Sequence, residues 1–228
     1  MLSPSDREKI AEAVAKAEAS TSGELVCVLA RSVSNYREVP LAWAALAALV
    51  VTPLAVAFGV RPSALLNLAD RGWTVGHAAA LDATLGSAFA AYAAVQALAF
   101  VVVGLIVLIP PVRRLLTPGA LKRHRVHRAA FTHFAAIGLT AEDAPTGIVI
   151  FACEQDRRVE VVAGEAIHKK CGEEAWREAV RSVQAGMKSG AEAGGFVKAI
   201  EICGDALARH FPVTAENPNR LPDRPVEI

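Results

Sequence analysis

Two long stretches without a charged side chain dominate the hydrophobic pattern of this 228-residue chain. Residues 39–60 are uncharged over 22 positions, and residues 83–112 over 30. As an α-helix rising about 1.5 Å per residue, the first stretch would extend roughly 33 Å, enough to cross the hydrocarbon core of a bilayer. The pattern therefore predicts a transmembrane hairpin over 39–112, with spans at about 39–60 and 86–110.

The main alternative is a buried helical hairpin within a soluble protein. Helices that are apolar on every side would then need a protein core all around them, and the rest of the chain is too small to supply one. A cleaved signal peptide does not fit either, because the polar stretch 3–22 precedes the first apolar run.

The residues before the hairpin predict one helix and one strand. Residues 3–6 read Ser-Pro-Ser-Asp, a helix start with a capping hydroxyl, a proline in the first turn and an acid. An apolar face follows at helical spacing over residues 10–17. Residues 24–30 are a continuous apolar run, the pattern of a strand that is covered on both faces.

The residues after the hairpin continue an alternation of helices and strands. Residues 118–137 predict a helix and 147–153 a second buried strand, which a tight turn at 154–156 joins to a third strand at 157–163. A loop around Gly164 follows. Two apolar stripes then predict two further helices. One stripe is Ala175, Trp176, Ala179, Val180, Val183 and Met187, and the other is Phe196, Ile200, Cys203, Leu207 and Phe211.

These pieces predict one α/β domain that the hairpin interrupts. The helix and strand of residues 1–38 have nothing to cover that strand, so we expect the strand at 24–30 to pair with those at 147–163. Residues 113–212 then form the remainder of the domain. Residues 213–228 carry several prolines and no apolar period, so we expect a disordered tail.

The composition becomes informative only when it is divided along the chain. A hydrophobic share of 53% and a formal net charge of +1 are values of an ordinary globular protein. Residues 113–138, however, contain six basic residues and no acid. The positive-inside rule places this run in the cytoplasm, and two spans bring the N-terminal segment to the same side. The run consists of Arg113, Arg114, Lys122, Arg123, Arg125 and Arg128.

This basic run has two interpretations. Nucleic-acid binding is disfavoured because the run adjoins a membrane span, lacks interleaved aromatic residues and matches no nucleic-acid-binding motif. We therefore expect no nucleic-acid partner. The interpretation that we favour is contact between these six side chains and anionic lipid headgroups.

The four cysteines and the catalytic motifs point to no particular chemistry. Cys27, Cys153, Cys171 and Cys203 form no pair at zinc-binding spacing, so we expect small apolar core residues in a reducing compartment. Gly194-Gly195 lacks the lysine and hydroxyl residue of a phosphate loop, and the chain has no serine-hydrolase or zinc-protease motif.

Several stretches outside the hairpin form a familiar set. They are Ser22-Gly23-Glu24-Leu25, Thr146–Phe151, Arg157–Ala163, Ile167-His168, Gly172, Trp176 and His210-Phe211-Pro212. This set resembles the TPM domain family, above all its bacterial membrane members, over residues 5–40 and 113–212. The resemblance implies an α/β/α sandwich around a small mixed sheet, interrupted by a two-helix transmembrane hairpin. It also implies the bacterial cytoplasmic (inner) membrane, and the distribution of basic residues described above places both termini in the cytoplasm.

The resemblance also supplies a candidate site. The family commonly has an aspartate after the third strand, where this chain has Gly164, with the acid one residue later at Glu165. Glu165 and His168 are expected to lie at one end of the sheet, with Glu24 as a further candidate. Glu165 and His168 are therefore candidate catalytic residues, and Glu165 and Glu24 candidate metal ligands. A divalent-metal hydrolase needs several converging carboxylates, so we expect no cofactor and keep a divalent cation as the alternative. Otherwise Glu165 is a solvated loop acid or helix cap, His168 a packing residue, and Glu24 an exposed or ion-paired side chain.

Three hypotheses about function follow. The first is a membrane-anchored interaction or assembly module that binds an unidentified membrane or cytoplasmic protein. The second, suggested by the family and Glu165, is a weak phosphatase or other metal-assisted hydrolase. The third is an oligomeric pore, although no charge lines either span. The sequence leaves open whether the chain is an enzyme.

Overall fold

The computed structural model describes residues 2–59, 77–139, 146–213 and 221–228. Its internal contacts divide the chain into two units. We call residues 36–118 the hairpin unit, and residues 1–35 together with 119–228 the α/β unit. The predicted boundaries at 38 and 113 lie a few residues from these.

The chain combines helices and strands, as predicted for an α/β fold. In chain order they are α1 (Pro4–Glu18), β1 (Glu24–Ala30), α2 (Glu38–Ala57), α3 (His77–Leu108), α4 (Pro110–Leu116), α5 (Gly119–Ala136), β2 (Gly147–Cys153), β3 (Arg158–Ala163), α6 (Glu165–Cys171), α7 (Glu173–Ser189), α8 (Glu192–His210) and β4 (Val226–Glu227).

The strands form a mixed sheet in the order β3-β2-β1-β4. β1 and β2 run parallel in register over seven residues, from Glu24 opposite Gly147 to Ala30 opposite Cys153. β3 lies antiparallel to β2. The predicted pairing between the strand at 24–30 and those at 147–163 is thus confirmed, and the hairpin unit is inserted in the chain between the two central strands.

Helices cover both faces of this sheet. Alternate residues of the buried strands β1 and β2 point to opposite sides. On one side Leu25 and Cys27 pack with α1, α7 and α8, and this core includes Trp176. On the other side Val26 and Val28 pack with α5. The cysteines Cys27, Cys153 and Cys203 are buried and free, as expected for core residues, whereas Cys171 is free but only partly buried.

The C-terminal segment corrects the prediction of a disordered tail at 213–228. Residues 221–228 are described, and β4 pairs parallel with β1, with Val226 opposite Val28. Ile228 N donates to Leu29 O at 3.1 Å, and Arg31 N donates to Ile228 O at 2.8 Å. A strand of two residues has no period for sequence reasoning to detect, which explains the error. The part of the predicted tail at 214–220 lies outside the described residues.

Deleting residues 221–228 is expected to lower the free energy of unfolding by about 2 kcal/mol or more. The deletion removes the hydrogen bonds to Leu29 and Arg31 and uncovers the edge of β1. The thermal unfolding midpoint of the full chain in detergent would measure this loss. Arg7→Gln is a matched control, because it leaves β4 in place and removes the Arg7 Nε–Glu227 Oε1 pair at 2.7 Å and the long Arg7 Nη2–Leu2 O hydrogen bond at 3.4 Å. It should change the free energy by less than about 1 kcal/mol. A truncated chain that unfolds at the wild-type temperature would contradict the prediction.

The hairpin unit contains two helices long and apolar enough to cross a membrane. They are α2 and the Ala88–Leu108 part of α3, which correspond to the predicted spans at 39–60 and 86–110. Gly104 lies against Ala44, since a Cβ on Gly104 would be 3.5 Å from the Ala44 Cβ. Trp43 Nε1 donates to Leu116 O at 3.1 Å, which ties α2 to α4. Residues 60–76, most of the predicted connecting loop, lie outside the described residues.

Candidate functional site

The backbone brings the predicted candidate residues to one edge of the sheet. Glu24 begins β1 opposite Gly147, the first residue of β2. Gly164, which follows β3, donates from its N to Gly147 O at 3.2 Å. Glu24, at the start of β1, and Glu165, just after the end of β3, therefore lie at the same end of the sheet, and β2 lies between β1 and β3.

Glu165 and His168 face solvent on a short helix, α6, where we predicted a loop around Gly164. The Glu165 carboxylate pairs with Lys169 Nζ at 2.5 Å, one helical turn away. The hydrogen bond and charge of Lys169 hold the pKa of Glu165 below its ordinary value. An exposed carboxylate that is ionised and already paired is poorly suited to serve as a general acid.

Of the two alternatives for Glu24, an exposed or an ion-paired side chain, the first is wrong, because Glu24 is only 4% exposed. Its Oε2 accepts a hydrogen bond from Leu221 N at 3.3 Å. The C-terminal segment therefore contacts the entrance of β1 as well as its edge. This contact was invisible in the sequence because the two partners are separated by almost the whole chain.

The three candidate residues do not converge into a metal site within the described part of the chain. No group of three or more His, Cys, Asp or Glu side chains there is arranged to hold a metal ion. Glu24 is held by the C-terminal segment, and Glu165 by Lys169. The predicted roles of these residues stay predictions.

A buried acid that sequence reasoning missed lies beside Glu24. Glu18, the last residue of α1, is 9% exposed, and its Oε1 accepts a hydrogen bond from Leu25 N at 2.7 Å. Its Oε2 is buried and has no hydrogen-bond partner among the described residues. Burial raises the pKa of Glu18 to about 7. The hydrogen bond from Leu25 N acts in the opposite direction, and the nearby charges of Glu24 and Asp223 raise the pKa further.

A signal for Glu18 was present in the helical spacing. Glu18 lies four residues after Val14 and eight after Ile10, and all three are buried on the same face of α1. A carboxylate that continues an apolar stripe has to be hydrogen-bonded or neutralised when it is buried. That reasoning would have identified Glu18 as a perturbed acid, although not its partner.

The basic run is divided between the two units. Arg113 and Arg114 lie in α4, at the end of the hairpin unit, whereas the other four side chains lie on α5. On α5 the residues Val126, Ala130 and Phe134 pack against the sheet. Arg114, Arg123 and Arg128 are exposed, and Arg113, Lys122 and Arg125 are half-buried. The exposed members are accessible to an anionic surface or ligand.

Comparison with known proteins supports the fold. No family model matches the chain, and no curated protein matches it. The NMR structure of the BA42 protein from the psychrophilic bacterium Bizionia argentinensis is similar, with a TM-score of 0.53 at 14% sequence identity. The similarity covers 100% of this chain and 95% of that one. At this identity it shows the fold alone, and it agrees with a small α/β architecture.

Proposed function

We propose that this chain is an integral protein of the bacterial cytoplasmic membrane whose α/β unit is a TPM-like interaction or assembly domain. The supporting observation is that α2 and α3 are apolar but mostly uncovered. Only 22% of the apolar window in α2 is buried, and 11% of that in α3. The apolar core helix of a soluble protein is mostly buried, so the low burial of these two helices favours lipid as their covering.

Charge supports the orientation of the proposal. Arg113 and Arg114 follow the second span directly, and α5 adds further basic residues without an acid. By the positive-inside rule both termini and the α/β unit are cytoplasmic. We propose that Arg113, Arg114, Lys122, Arg123, Arg125 and Arg128 contact anionic lipid headgroups.

The insertion point of the hairpin favours a module tied closely to the membrane. β1 precedes the hairpin unit and β2 follows it, yet the two strands pair along their whole length. The α/β unit therefore cannot complete its sheet without chain from both sides of the anchor. The alternative function, a weak phosphatase or other metal-assisted hydrolase, gains no support from the described geometry, since no three potential ligands converge there.

Reporter fusions test the topology. We expect alkaline phosphatase fused after residue 70 to be active and a fluorescent protein at the same position to be dark, because that loop is periplasmic in the proposal. Fusions at the C-terminus should give the opposite result. A fluorescent reporter after residue 70 would overturn the proposed orientation, and release of the unfused chain from membranes by alkaline carbonate would overturn the anchor.

The interaction role has a separate test. The tagged full chain, purified from native membranes in mild detergent, is expected to retain one protein at constant stoichiometry. A two-span membrane protein of unrelated sequence, expressed at the same level, serves as the control. Recovery of no protein beyond those bound by the control would contradict an interaction module while leaving the membrane anchor intact.

A further inference from the structure

A small cleft opens at the outer edge of the sheet in the α/β unit. β3 is the edge strand on this side, and both α5 and α7 pack against it. The cleft has a volume of about 190 Å³, room for roughly six water molecules at about 30 Å³ each. It is lined by Arg123 and Val126 of α5, Arg158, Val159 and Glu160 of β3, and Gln184 of α7.

Arg158 supplies a donor that the described chain does not satisfy. Its Nε is buried and has no hydrogen-bond partner among the residues that the structure describes. A buried N–H on a charged group is costly to leave unpaired, and such groups commonly mark the place of a bound ion or water. The Arg158 side chain therefore calls for an acceptor at this position.

The N-terminus of α5 lies close to the Arg158 guanidinium and strengthens the need for an anion there. Its Nη2 lies beside the first residue of α5, since a Cβ on Gly119 would be 3.4 Å away from it. The N-terminus of a helix carries partial positive charge, which favours an anion and disfavours a guanidinium. Arg123 lines the same cleft from the first turns of α5, and that helix contains no acid. An anion between these groups would relieve their mutual repulsion.

Glu160 is the one carboxylate among the described residues that line the cleft, and it pairs with a histidine. His127 Nδ1 lies 3.5 Å from Glu160 Oε1. The cleft is thus lined by two guanidinium groups, those of Arg123 and Arg158, and by one carboxylate, Glu160, which also pairs with His127. The remaining polar group, the Gln184 amide, adds a neutral donor from a third element.

We propose that this cleft binds a phosphate group through Arg158, Arg123 and Gln184. Donors from three separate elements surround a tetrahedral oxyanion better than a planar carboxylate, and arginine forks suit phosphate oxygens. The volume admits the phosphate and the first atoms of its ester. The phosphate belongs either to a lipid headgroup or to a soluble phosphate compound, and the basic surface of α5 attracts both.

The first experiment uses the full chain in zwitterionic nanodiscs with inorganic phosphate as the probe. We expect the Arg158 Nε–H resonance in a ¹H–¹⁵N spectrum to shift saturably as phosphate is added. Arg123→Gln, followed by the same resonance, and Arg158→Gln, followed by the side-chain amide of Gln184, should each weaken phosphate binding about tenfold or more, because each removes a charge-assisted hydrogen bond. Arg181→Gln is the matched control, since Arg181 is exposed on α7 and does not line the cleft. It should change the affinity less than twofold.

A second arm identifies the source of the phosphate. If the ligand is a lipid headgroup, nanodiscs that contain phosphatidylglycerol should shift the Arg158 Nε–H resonance without added phosphate. If it is soluble, only added phosphate should do so. Arg123 is exposed, so Arg123→Gln keeps the test valid should Arg158→Gln fail to fold. An Arg158 signal unmoved in both arms, or an equal loss of affinity in Arg181→Gln, would overturn the site. Neither outcome bears on the membrane anchor or on the protein partner.

Discussion

One added methyl group at Gly186 is expected to lower the free energy of unfolding of the α/β unit by about 2–4 kcal/mol. Gly186 lies where α7 and α8 cross. A Cβ there would be 2.8 Å from Ala191 O and 2.9 Å from the Gly195 Cα. Both are backbone atoms, so no side-chain rotation can relieve the overlap, and the two helices would have to separate. Separation would open the core that α7 and α8 share with β1 and β2.

The neighbouring glycine on α8 provides a control for Gly186→Ala. A Cβ on Gly194 would meet nothing within 4 Å, and the residue lies inside a helix. Gly194→Ala should therefore stabilise the chain by about 0.5–1 kcal/mol through helix propensity. Thermal unfolding of the full-length variants in detergent, followed by near-ultraviolet circular dichroism, measures both effects. If Gly186→Ala unfolds at the wild-type temperature, the crossing is not as tight as the structure gives it.

This crossing illustrates which parts of the fold a sequence can predict. The apolar stripes that predicted α7 and α8 are local patterns, and each stripe falls on an observed helix. The strands at 24–30 and 147–153 were predicted exactly, because strands buried on both faces read as short continuous apolar runs. The contact between Gly186 and Gly195 depends on the angle at which two helices meet, which no local pattern contains.

The candidate site was harder to predict than the fold for the same reason. Glu24 and Glu165 do start from one edge of the sheet, as expected, but each side chain is engaged by a different neighbour. Lys169 lies one helical turn from Glu165, on the short helix α6, whose bounds no pattern in the sequence predicted. Leu221, which donates to Glu24, belongs to a segment expected to be disordered. The order of the strands was enough to predict where the backbone of Glu24 and Glu165 lies. The contacts of their side chains depend on α6 and the C-terminal segment, for which the sequence has no recognisable pattern.

Glu18 should make the stability of the α/β unit depend on pH near neutrality. Its pKa is raised to about 7 from an ordinary value of 4.5, chiefly by burial. The folded state thus holds the proton more tightly than the unfolded state. The stabilisation from the protonated form is complete below pH 4.5 and is lost as the pH rises through 7. The shift corresponds to a loss of about 2–3 kcal/mol between pH 4.5 and 8.

Glu18→Gln is therefore expected to remove this dependence rather than to damage the fold. Glutamine keeps an acceptor for Leu25 N, and its amide can donate near Glu24 and Asp223, whose charges oppose the ionised acid. At pH 8 the variant should be about 2 kcal/mol more stable than wild type, and at pH 4.5 about equal. Glu12→Gln, an exposed change on the same helix, should shift the free energy by less than about 0.5 kcal/mol at either pH. If the unfolding midpoints of Glu18→Gln ran parallel to those of wild type from pH 4.5 to 8, the pKa of Glu18 would not be raised in the folded state. A decrease of equal size at every pH would assign the residue a purely structural role at Leu25.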